Sequence, residues 1–199
     1  MRTLNTLELV GGAVCLDFVN TINSRRKPVH DYLQQYSDLA EWAGKVGILS
    51  PSKRKRLLTL AEQDSKSMEA VLLKALRVRE LLYQLFSKNA RQSGSNREDI
   101  GAFVKFYAEA MSHSIFVKKE NYFAADWLTD ESLDTALWPI LYSAGQLLLS
   151  QELMRVKECP NCGWLFLDTS KNQSRRWCSM NTCGARDKMR RYLRRKGAK

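Results

Sequence analysis

The chain has 199 residues, room for one ordinary domain plus a small appended module, and a body of about 150 residues buries roughly two thirds of its unfolded surface. At 44% apolar and 27% charged, its composition excludes wholesale disorder. The net charge of +11 is local: residues 159–199 carry eleven Lys/Arg against two Asp/Glu, so a nearly neutral body precedes a strongly basic tail.

The opening "MRTLNTLELVGG" has no charged segment leading into an apolar run, and no stretch approaches eighteen consecutive apolar residues. A cytoplasmic protein without membrane association is therefore expected. The apolar "LVGGAVCLDFVNTIN" is followed by a polar turn, "SRRKP". Cys15, set among Val14, Leu16 and Phe18, reads as a small buried apolar residue. Leu33, Tyr36, Leu39, Ala40, Ala43 and Val46 then recur at spacings of three and four, predicting a helix capped by Ser37 and stopped by Gly47. Ser50 before Pro51 reads as an N-cap and first helical residue. Over residues 67–88, Val71, Leu72, Ala75, Leu76, Val78, Leu82, Leu85 and Phe86 line one broad face, the clearest helix in the chain. "RQSGSN" ends it, and "REDIGAFVKFYAEAMSH" predicts another helix, capped by Ser95 or Asn96. "SIFVKKENYFAADWL" places two β-rich runs either side of a polar tetrad, the pattern of a hairpin. A last body helix is expected over residues 132–153, restarting or kinking at Pro139.

Four of the five cysteines crowd into the tail. Cys159 and Cys162 form a C-x2-C with Gly163 directly after it; fifteen residues separate Cys162 from Cys178, and four more lie between Cys178 and Cys183. In a reducing compartment this spacing points to metal rather than disulfides. Four thiolates satisfy tetrahedral zinc, at sulfur distances of about 2.3 Å, and leave no open coordination position, so the ion would be structural. An iron-sulfur cluster is the alternative that spacing leaves open. "WLFLDTS" between the pairs has the character of a short hairpin, and the chain after Cys178 turns helical, the order of a treble-clef type finger.

On that terminal helix Arg186, Arg190 and Arg194 fall at successive i+4 positions, with Arg191 and Arg195 in a second row, Lys188 among them, and Arg175 and Arg176 just upstream. Ala185, Met189, Tyr192 and Leu193 form an opposing apolar stripe, expected to pack on the finger. Like charges at i+4 repel by a few tenths of a kcal/mol per pair. Arginine outnumbers lysine in the tail, and its planar fork suits phosphate. A polyanion partner is the economical explanation.

The segment "CPNCGWLFLDTSKNQSRRWCSMNTCGARDKMRRYLRR" resembles the CGNR zinc finger, a module named for a Cys-Gly-Asn-Arg motif. "LVGGAVCLDFVNTIN" and "DLAEWAGKVGILS" resemble the ABATE domain that precedes this finger in stress-induced transcription regulators. The resemblance implies zinc on Cys159, Cys162, Cys178 and Cys183, a DNA-binding role in bacterial regulation, and Arg175, Arg176 and Arg186 as part of the motif. Ala185 stands where the motif's name calls for Asn, which puts any nucleic-acid contact by that side chain in doubt. Asp17, Asn20 and Thr21 match the family's "DFVNT"; local capping is one reading and a small-molecule pocket the other.

The expected architecture is mainly α: a helical regulatory domain over residues 1–155 with a small β-hairpin, then a treble-clef-like zinc finger over 156–199 ending in a basic helix. The expected function is a zinc-containing, DNA-binding transcription regulator whose body senses an effector or self-associates as a homodimer. The alternative is a zinc-dependent RNA-binding protein, with Trp164, Phe166 and Trp177 stacking on bases. With His30 and His113 as the only histidines and no nucleophile elbow, phosphate loop or H-E-x-x-H, no enzyme is expected.

Overall fold

The computed structural model describes residues 3–27, 30–94, 96–128 and 132–197. The body is built around α4 (Ser65–Ala90), capped by Asp64 accepting from the Ser67 amide at 3.0 Å. Its apolar stripe meets α1 (Val14–Val19), α2 (Tyr36–Lys45), α3 (Pro51–Gln63) and α5 (Arg97–Ser112), while α6 (Leu137–Leu148) closes the core against α1 and α5. Trp42, Trp138, Tyr36, Phe18 and Phe86 are fully buried at its centre. Such side chains contribute about 1.5–3 kcal/mol each by leaving water.

Local chemistry sets the boundaries. Ser50 accepts from the Lys53 amide ahead of Pro51, as expected, and Asn96 caps α5 by accepting from the Asp99 amide. Ser95, the other expected cap, lies outside the described residues, as does Pro28 of the "SRRKP" turn. For α2 the cap is Gln35, two residues earlier than Ser37: Gln35 and Asp38 form a reciprocal capping box, and the Asp38 carboxylate takes both the Gln34 and Gln35 amides. Gly47 stops this region with φ of +78°. Pro139 occupies the first turn of α6, where no intrahelical amide is required, so it opens that helix after a 3-10 turn at Leu133–Ala136 and no kink is needed. A second 3-10 turn, Gln151–Arg155, replaces the last expected helical residues.

Strands β1 (Ser114–Lys118) and β2 (Phe123–Trp127) pair antiparallel as the expected hairpin, with Ser114 opposite Trp127. A second antiparallel pair joins β3 (Val156–Glu158) to β4 (Leu165–Leu167). This corrects the hairpin expected in "WLFLDTS": that segment supplies one strand, and its partner precedes the first cysteine pair. Val156, Leu165 and Leu167 belong to the same apolar core as the body helices. Among the described residues no helix is long and apolar enough to cross a membrane.

Candidate metal centre and its basic helix

The β3–β4 turn carries Cys159 and Cys162. Gly163 turns the chain at φ +77°, and a Cβ there would stand 2.7 Å from the Cβ of Arg25, so only glycine fits. The Cys159 amide donates to the Trp164 carbonyl and the Gly163 amide to the Cys159 carbonyl, each at 2.8 Å. The Trp164 amide points to the Cys162 sulfur, the knuckle geometry that stabilises a thiolate. The other two cysteines come from Cys178 and from a wide π turn, Met180–Gly184, that feeds directly into α7 (Ala185–Gly197).

All four Sγ atoms lie within 4.8 Å of one another, and Cys162 and Cys178 approach to 3.5 Å. All are buried, and Cys15, the fifth, is buried elsewhere among apolar neighbours that push its thiol up to about 12. Zinc-sulfur bonds of about 2.3 Å in a tetrahedron require sulfurs about 3.8 Å apart. The set fits one ion. Crowding against Cys159 pushes Cys162 and Cys178 up, because buried thiols this close cannot all ionise without a compensating cation. When bound, such an ion supplies that charge and the cross-link; a four-sulfur set leaves it no catalytic position.

Asp168 organises the loop between the pairs. Fully buried, it accepts from the Lys157 ammonium at 2.6 Å, the Ser170 hydroxyl at 2.6 Å and the Ser170 and Arg175 amides at 3.0 Å. Burial alone would raise its carboxyl, but Lys157 and Ser170 hold it well below the usual carboxylate range. The sequence signal was the Asp-x-Ser spacing, an Asx-turn pattern. Asn161 adds a bond from its amide to the Cys183 carbonyl at 3.2 Å, which links the two knuckles.

The expected nucleic-acid residues divide. Arg175 is committed internally: its guanidinium donates to the Trp177, Cys178 and Val10 carbonyls and lies 4.5 Å over the Phe166 ring. Arg176, Arg186, Lys188, Arg190, Arg191, Arg194 and Arg195 are exposed. Asp187 is buried and already bonded by Arg190 at 2.7 Å and Arg191 at 2.9 Å. The apolar stripe of α7 does not pack on the finger as expected: Met189, Tyr192 and Leu193 are 59%, 52% and 59% exposed. Among the described residues, the main contacts of the helix are with the π turn it leaves. Ala185 is exposed at its start. Phe166 and Trp177 are buried around the cysteines, which leaves neither ring open for stacking on RNA bases, while the half-buried Trp164 donates its indole N–H to the Ile22 carbonyl at 2.6 Å.

Asp17, Asn20 and Thr21 are engaged in internal bonds. Asp17 accepts from the Gly11 amide at 2.8 Å, and burial pushes its carboxyl up to about 6. Asn20 clamps Leu165 of β4 in both directions, donating to its carbonyl at 2.8 Å and accepting its amide at 3.0 Å. The Thr21 hydroxyl donates to the Phe18 carbonyl at 2.7 Å and accepts from Arg79, itself bidentate to Asp31 at 2.7 and 2.6 Å. Sequence reasoning missed Arg25, whose amide donates to the Cys162 carbonyl at 2.7 Å while its side chain pairs with Glu80. No local pattern marks it, because its partners are distant in sequence.

A buried, sulfur-only metal set on a helical body, with a cationic helix running out of it, defines a zinc-finger protein. The comparisons agree: residues 155–196 match the CGNR zinc finger, and residues 12–151 match ABATE, described as "Putative stress-induced transcription regulator". The chain belongs to that family. No curated protein matches it.

Proposed function

We propose that the chain is a non-enzymatic, cytoplasmic, DNA-binding transcription regulator in which zinc on Cys159, Cys162, Cys178 and Cys183 orders the finger and α7 lays its cations along the backbone of duplex DNA. The observation that carries this reading is α7 itself, with Arg186, Lys188, Arg190, Arg191, Arg194 and Arg195 all exposed and its one acid buried. Arg190 and Arg191 each give Asp187 one bond and keep their remaining guanidinium donors exposed for phosphate.

The regulatory half is residues 1–155 and the finger 156–199. Effector sensing is supported by a polar body cleft of about 660 Å³ whose walls include His30, Asp31, Gln34, Asp38 and Glu41. A homodimer is part of this proposal, since a two-fold protein matches the two-fold operators that such regulators use. The test is fluorescence anisotropy of zinc-loaded protein on labelled duplex. With four to six phosphate contacts, log affinity falls against log salt at a slope of about −4 to −5, and the R190Q/R194Q pair reduces that slope by about 2. No binding at low salt by the zinc-loaded protein would end this reading.

A further inference from the structure

The basic surface does not stop at the finger. Beside the C-terminal end of α4 and the first cysteine knuckle lies an open cleft of about 620 Å³ whose charged walls are Arg26, Arg91, Lys157, Arg175, Arg176 and Glu158. Glu158, the last residue of β3, has a side chain only 6% exposed. It accepts from Arg91 Nε at 2.7 Å and Nη2 at 2.8 Å, from Arg26 Nη2 at 2.7 Å and from the Ser87 hydroxyl at 2.6 Å. One carboxylate thus holds two guanidiniums and neutralises one of them. Lys157 is likewise balanced by Asp168, which leaves the cleft a surplus of positive charge.

The two arginines are fixed from beneath and open above: their side chains are 47% and 51% exposed. A guanidinium has five donors in a rigid fork. With one or two donors tied to a buried carboxylate, the rest of each fork is pre-oriented, which lowers the ordering cost of meeting a second oxyanion. Arg176 joins this cleft to the terminal helix, since it lines the cleft while its charge helps hold down the carboxyl of Asp187 in the first turn of α7.

We propose that this cleft is a second phosphate site for the same duplex, made by the body residues Arg26 and Arg91 and oriented by Glu158, so that the DNA backbone passes from α7 across Arg176 onto the helical body. The inference rests on the DNA-binding reading above and assigns the body a direct share of the contact. It also gives the body a route to influence affinity, because Arg26 stands four residues before His30, which lines the polar body cleft.

The experiment uses full-length, zinc-loaded protein and a labelled duplex of about 20 base pairs, titrated across a range of salt. R26Q/R91Q lowers the magnitude of the salt slope by about 1–2 and weakens low-salt affinity at least tenfold, with zinc content and far-UV signal unchanged. If R26Q/R91Q loses zinc or helix, the single R91Q decides, with a slope lower by about 0.9. A lower melting temperature with an unchanged slope would make the cluster a structural clamp alone and overturn the proposal. R190Q/R194Q separates the two failures: if it weakens binding while R26Q/R91Q does not, only the cleft falls, whereas absence of binding by the unmodified protein removes the wider reading.

Discussion

Asp17 is a carboxylate that folding makes harder to ionise. Its folded value is pushed to about 6 by burial, above the ordinary range near 4, so the folded chain binds more protons than the unfolded one between those limits. Its contribution to stability is therefore complete below about pH 4 and is lost as pH rises through about 6. Asp17→Asn keeps an oxygen for the Gly11 amide and cannot ionise. Relative to the parent, this variant gains about 1–2 kcal/mol at pH 7 and little at pH 4, discounting the shift for partial exposure. Urea unfolding of both proteins at the two pH values measures the difference, and a constant gap would refute it. Asn20 has a different role, since its amide is the hydrogen-bond partner of the Leu165 backbone in the core. Asn20→Ala leaves a buried amide and carbonyl unpaired, at a cost of about 2–4 kcal/mol. A denaturant midpoint that does not move would show that water or another group replaces it.

The elements that were legible in the sequence are those whose pattern is local. The 26-residue α4, the Ser50–Pro51 start, the Asn96 cap and the β1–β2 hairpin all follow from periodicity and turn chemistry. What escaped had a non-local cause. A three-residue strand such as β3 has no readable period, and it is a strand because β4 pairs with it and the core takes Val156. The stripe on α7 was readable, but its solvent exposure was not, because burial depends on neighbours distant in sequence. That exposure has a consequence: α7 starts from the π turn and its cysteine ligands, while its arginines repel one another. Removing zinc by a strong chelator should melt α7, with a far-UV loss on the scale of one thirteen-residue helix while the Trp42 and Trp138 core stays intact. An unchanged helical signal in metal-free protein would show that α7 holds itself.

Across the whole molecule, the four metal ligands were legible because thiolate spacing is a chemical constraint written within one short segment, whereas the attachment of finger to body is not. The Gly11 carbonyl takes the Leu167 amide, Asn20 holds Leu165, the Ile22 carbonyl takes the Trp164 indole and the Arg25 amide reaches the Cys162 carbonyl. A residue range that reads as an appended module thus supplies three members of the body's own core and closes the backbone groups of the 11–25 segment. A chain ending at residue 155 loses Val156, Leu165 and Leu167, worth about 5 kcal/mol or more in burial, together with those partners. Because domains of this kind are stable by only about 5–15 kcal/mol, the truncated body should be marginal: a much lower denaturant midpoint, exposed apolar surface that binds a hydrophobic dye, and a tendency to aggregate. If instead it unfolds at the midpoint of the full chain, with a sharp two-state transition, the β3–β4 pair is dispensable to the core and the finger is a separable module. The same comparison at saturating and depleted zinc extends the argument, for an ion that orders the knuckle also secures β4 against Asn20, and metal loss should lower the midpoint of body unfolding as well as release α7.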